Sequence, residues 1–114
     1  MFERLEGILT RYREIEKELM DPNVVNDKER YKKLMKEQAD MSDIVEKYLE
    51  YKEVQKTIDD SLAILDEESD EEIRELAREE LSKSKQRIGV IENELKILLL
   101  PKDPNDEKNV IVEI

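Results

Sequence analysis

The chain has 114 residues, 45% of them charged and 38% hydrophobic, with one Phe, no Trp and a net charge of −11. That length holds one domain at most, and a mixture rich in Glu, Lys, Leu and Arg favours long helices over sheets and excludes a thick globular core. The acidic balance disfavours generic binding to nucleic acid or anionic membrane, and the absence of Cys and His removes disulfides, Cys/His zinc sites, thiol nucleophiles and imidazole bases. The lack of Cys fits a reducing cytosol. No apolar run nears the roughly 20 residues of a membrane span, and no signal-peptide core follows the N-terminus, so the expectation is a cytoplasmic protein.

Phe2, Leu5, Ile8, Leu9, Tyr12, Ile15 and Leu19 recur three or four residues apart. This apolar stripe predicts a helix over about 2–20. The turn Asp21-Pro22-Asn23 should end it, since the residue before a proline avoids helical dihedrals. Asn26, with Glu29 three residues on, resembles a capping box and opens a second helix over about 27–66. Its stripe runs from Tyr31, Leu34 and Met35 through Val45, Tyr48, Leu49 and Ile58 to Leu62 and Leu65, uninterrupted by Pro or Gly. Such a helix is a rod of roughly 60 Å at ~1.5 Å per residue.

Asp66-Glu67-Glu68 should turn the chain, and Ser69-Asp70-Glu71-Glu72 has the S-x-x-E form of a capping box for a third helix over about 69–100. Ile73, Leu76, Ala77, Leu81, Ile88, Ile91, Leu95, Leu98 and Leu99 form its stripe. Ser84 and Gly89 thin it at the middle, where packing is expected to be weakest. Long helices are held by burial of their apolar faces. The fold expected is therefore all-α: an elongated three-helix bundle whose second and third helices form a long, antiparallel, coiled-coil-like hairpin. Beyond Pro101 the proline-bracketed turn cannot continue the helix, and Asn109-Val110-Ile111-Val112-Glu113-Ile114 reads as a strand. A strand without a partner forms no sheet. Residues 1–100 are thus expected to be a helical domain, and 101–114 a linker and the orphan first strand of a next, absent domain.

Chemistry is sparse. With glycine only at positions 7 and 89 there is no phosphate-cradling loop, and carboxylate pairs occur everywhere along the helices, so none singles out a general acid and base. A Ser–Lys arrangement stays open, but no catalytic, cofactor-binding or metal-binding residue is assigned and no cofactor is expected. Two charged features stand out. Lys28, Lys32 and Lys36 share one helix face at i, i+4, i+8 and could meet RNA phosphate; Glu29–Lys33 and Lys33–Glu37 pairs would instead make this an ordinary exposed helix. Six carboxylates in residues 66–72 read either as a docking tip for a basic partner or as a solvated turn whose acids suit the positive end of the third helix. Lys83, Lys85 and Arg87 repeat the first ambiguity on a smaller scale. The four tyrosines read as packing residues, with Tyr51, beside the stripe, the one expected to meet another domain.

The segment Leu98-Leu99-Leu100-Pro101-Lys102-Asp103-Pro104-Asn105-Asp106-Glu107-Lys108-Asn109 closely resembles the junction between the N-terminal helical and central domains of the bacterial peptide chain release factor 1 family, the class I factors that decode UAA and UAG. The order and length of the helices, with "ERYKKLMKEQADMSDIVEKY" opening the second, are compatible along the whole chain. The resemblance implies a part in translation termination, with the ribosome as partner at the stalk-base region of the large subunit, and dealings with the class II release-factor GTPase. The family's codon-reading tripeptide and Gly-Gly-Gln hydrolysis loop have no counterpart in these residues, so docking without enzymatic activity is implied. Within that frame Lys28, Lys32 and Lys36 are the candidate ribosome contacts, on an RNA-facing patch, and protein contacts fall on exposed faces of the hairpin. The alternative is a free-standing coiled-coil adaptor or oligomerisation module.

Overall fold

The computed structural model describes residues 1–101, and all of its regular structure is helical. Four helices follow one another: α1 (Phe2–Leu19), α2 (Pro22–Val25), α3 (Lys28–Glu67) and α4 (Glu71–Leu98). The strand expected at 109–114 lies outside the described residues. The radius of gyration is 20.2 Å and the extents are 60 × 47 × 20 Å. A compact domain of this length would have a radius of about 13 Å. The expected all-α, elongated architecture with an antiparallel α3–α4 hairpin is what forms.

The difference from a plain three-helix reading lies at the first corner. Residues 21–26 are a one-turn helix as well as a turn: Asp21 caps it, its carboxylate accepting from the Asn23 N–H at 2.9 Å, and Pro22 takes the first helical position. Proline suits that place because its missing N–H would have no partner there. Val24 is driven inward to 1% exposure against Ile15 and Leu34, and so fixes the path from α1 into α3. Two caps also shift by one residue. Asp27, not Asn26, caps α3 by accepting from the Arg30 N–H at 3.2 Å; Asn26 closes α2 instead. Asp70, not Ser69, caps α4 through the Glu72 N–H at 3.0 Å. A carboxylate at the cap combines the hydrogen bond with attraction to the positive helix end, which a serine hydroxyl lacks.

Packing divides the molecule into a base and an arm. In the base, α1 lies along the hairpin, and Leu5, Leu9, Val45, Tyr48, Ile91, Leu95 and Leu99 form one buried cluster. Beyond about residue 55, α3 and α4 have only each other. The buried residues there are Ile58, Ser61, Ala77 and Ser84, three of them small. Ser84 thus sits inside the seam rather than opening it. Several stripe residues stay exposed, among them Met35, Leu49, Leu62, Ile73 and Leu76. An apolar stripe is wider than the narrow line along which two helices touch, and the third helix that could cover the surplus reaches only the base.

Candidate functional site

The N-terminal third of α3 is held from three sides. Val24 and Ile15 pin it through Leu34. Arg11 of α1 donates Nε to Glu37 Oε1 at 2.8 Å and Nη2 to Glu37 Oε2 at 3.0 Å, a two-pronged bond that fixes the rotation of one helix against the other. This pairing holds the Glu37 carboxyl below its usual range and raises the Arg11 guanidinium above its own. Glu18 sits between Arg11 and Arg30, at 3.8 and 3.5 Å.

These bonds consume the charges that face α1 and leave the outer ones alone. Lys28, Lys32 and Lys36 are all exposed, and none makes an ion pair among the described residues. Neither the Glu29–Lys33 nor the Lys33–Glu37 pair that would have made this an ordinary charged helix forms among the described residues, and Glu37 is instead taken by Arg11. The result is a row of ammonium groups over two turns of a rigid helix, Lys28 standing at its positive end, where cations are disfavoured.

The other charged features are largely internal. Arg87 bonds to Glu50 and joins α4 to α3. Lys47 bridges to Glu94 at 2.6 Å and to Glu50 at 3.3 Å, which raises its pKa and, with Arg87, lowers that of Glu50. At the acidic turn, the Glu68 carboxylate accepts from the Ser69 and Asp70 N–H groups, both at 3.1 Å, and Glu71 takes Arg78 at 3.0 Å. Arg74 reaches back to the Leu65 and Glu68 carbonyls and satisfies the last turn of α3. Much of the acidic run therefore builds the turn.

Tyr51 does not wait for another domain. It is half-buried, its ring 5.1 Å from that of Phe2 and 6.4 Å from that of Tyr48, and its hydroxyl donates to Glu92 at 3.2 Å. Burial raises its pKa, and that of Tyr48 is pushed up to about 12 by burial and by the hydrogen bond to Glu6. Tyr12 and Tyr31 also pack against the clusters of the base. None of the four is a free stacking platform. What the sequence pattern missed is an apolar groove on the arm, walled by Ile64, Ile73 and Leu76, residues that periodicity assigns to the seam or leaves beside it. The signal was the run of small residues at 61, 77 and 84, which cannot fill a seam as wide as the stripe. Among the described residues no group of three or more His, Cys, Asp or Glu side chains could hold a metal ion, and no helix is long and apolar enough to cross a membrane.

The base thus presents its lysine row on a helix held by α1 and α2. Comparison with known proteins decides its kinship: the PCRF domain model matches residues 8–114. The chain belongs to the PCRF domain family. It is 65% identical over its full length to peptide chain release factor 1 of Lachnoclostridium phytofermentans, 61% to that of Agathobacter rectalis and 51% to that of a Geobacillus species. Each match covers 100% of this chain and 32% of the relative, so the chain spans about a third of the length of the curated relatives it matches. No solved structure matches it. Kinship over the whole chain disfavours the free-standing adaptor reading, and the PCRF domain matches across α3, α4 and the residues beyond them.

Proposed function

We propose that this chain is the N-terminal helical domain of a cytoplasmic translation termination factor, one that serves stop-codon-dependent release of the nascent peptide by docking on the ribosome. The observation that carries the reading is the unbroken similarity, at 65% identity, to the N-terminal third of a peptide chain release factor 1. Residues 1–100 form the docking domain, and 101–114 lead into the next one. Codon reading and ester hydrolysis belong to the remainder of the factor, so this part is not itself the enzyme. The stalk-base region of the large subunit and the class II release-factor GTPase are the partners in view.

Lys28, Lys32 and Lys36 are the ribosomal RNA contact. Their support is structural: they are exposed, unpaired and carried on a helix that Arg11, Val24 and Ile15 hold in place. A row of lysines binds phosphate as point charges, without sequence selectivity, and each contact releases counterions. The test replaces the matching third of the Lachnoclostridium factor with this chain and reverses all three lysines to Glu. Association of that chimera with ribosomes should weaken, and the slope of log affinity against log salt should flatten by roughly 2–3 units as phosphate contacts are lost. An unchanged salt slope would remove the row from the interface.

A further inference from the structure

The arm carries a second surface of opposite character. Residues 59–80 hold eleven acids against two bases, so nine of the chain's eleven net negative charges sit on these 22 residues. Both bases are occupied within the arm, Arg74 by the Leu65 and Glu68 carbonyls and Arg78 by Glu71 and Glu75. Amid this charge lies an open groove of about 490 Å³ between α3 and α4. Its floor is Ser61 and Ala77, and its walls are Ile64, Ile73 and Leu76, which are 39%, 42% and 66% exposed. Glu79 and Glu80 stand on the rim, and Lys83 is the one cation there.

We propose that this groove is a docking site for a cationic amphipathic helix of a protein partner. An exposed apolar wall gains by burial, and the acidic surface around it selects which apolar surface can approach. Nucleic acid and anionic membrane are repelled by the same charge, and a second copy of the arm would bring an equal negative field against it. A helix with apolar residues at i, i+3, i+4 and i+7 and lysine or arginine along its flanks meets both demands. The base shows what such a third helix does for this hairpin. There α1 lays Leu5 and Leu9 against Val45, Ile91 and Leu95 and locks itself to α3 by the opposite charges of Arg11–Glu37 and Lys52–Glu6, the latter at 2.7 Å. The arm offers the corresponding apolar line and acidic flanks without a third helix of its own.

This inference deepens the docking reading by naming the chemistry of one partner, and its test needs no ribosome. A labelled Leu/Lys peptide of roughly 18 residues, five helical turns, with its leucines on one face, is titrated with the chain at physiological ionic strength. A scrambled peptide of the same composition is the control. The amphipathic peptide should bind at least about ten-fold more tightly than the scrambled one. In the double variant Ile73→Ser/Leu76→Ser that binding should fall by about ten-fold or more, as two anchors are lost, while helical content is kept because both side chains are exposed. Lys83→Glu should tighten it. Equal binding of both peptides, no binding of either, or unchanged binding by the double variant would overturn the proposal. Charge reversal at Lys28, Lys32 and Lys36 leaves the expected peptide binding in place, so failure of the lysine-row reading and failure of this one are told apart.

Discussion

The base and the arm are built from the same two helices, yet they do different work. In the base α1 supplies a third layer, and Leu5, Ile15, Ile91 and Leu95 reach 0–1% exposure. In the arm the largest buried side chain is Ile58, and apolar residues meant for a seam face solvent. Helical propensity does not separate the two regions, since both run without proline. The availability of a partner face does. A long helix is stable where something covers its apolar stripe, so the base holds the fold and gives the lysine row a fixed bearing. The arm leaves its apolar stripe partly uncovered.

The sharpest way to break this contrast is a cavity on each side. Leu95→Ala, in the base, removes a side chain with no exposed surface and should cost about 3 kcal/mol in denaturant unfolding. Leu76→Ala, in the arm, trims a side chain that is mostly in water and should stay within about 0.5 kcal/mol. Equal losses would mean that the arm is packed as tightly as the base.

Acid separates the regions next. Glu6 is held below the ordinary carboxyl value of 4.5 by Lys52 and Tyr48, Glu37 by Arg11, and Glu50 by Arg87 and Lys47. All three sit in or beside the base. A carboxyl with a lowered folded pKa contributes stability that is fully present above its unfolded value and lost as pH falls through the folded one. Below about pH 4.5 the contacts of α1 with the hairpin should therefore weaken progressively. The arm has no contact with α1 to lose, so its helical signal should not follow that of α1. Resonances of α1 and of the arm, followed through an acid titration, would show the two moving apart; a common midpoint would remove the distinction.

Smaller effects sharpen the picture. Asp70→Ala deletes the cap that starts α4 at the far end of the arm and should cost about 1 kcal/mol of local helix stability, visible as faster amide exchange in the first turn of α4 and unchanged exchange at Ile91 and Leu95. Gly89→Ala should stabilise by somewhat under ~1 kcal/mol, because the added methyl meets nothing within 4 Å and the helix gains propensity.

The hairpin was legible in the sequence because its signals are strong: forty residues without a breaker, an acidic turn, and apolar residues at helical spacing. The one-turn helix at Pro22 was not, since six residues are too few for periodicity to show, and the inward pull on Val24 comes from Ile15 and Leu34, distant in sequence. The cap positions slipped by one because Asn26 and Asp27, like Ser69 and Asp70, are both competent caps, and only the path of the preceding turn chooses between them. Lys28, Lys32 and Lys36 were visible as a row. That Lys33 loses its i,i+4 partner was not, because it depends on Arg11 reaching across from α1 to claim Glu37. The exposure of Ile73 and Leu76 was hidden for a related reason: a stripe says which face is apolar, and a second helix decides how much of it is covered.

The most direct test of the central claim is lysine acetylation footprinting of the chimeric factor, free and bound to ribosomes. Lys28, Lys32 and Lys36 should lose reactivity on binding, while Lys56, exposed further along α3, keeps it. If the three lysines react equally in both states, the base does not present them to the ribosome and the docking surface lies elsewhere.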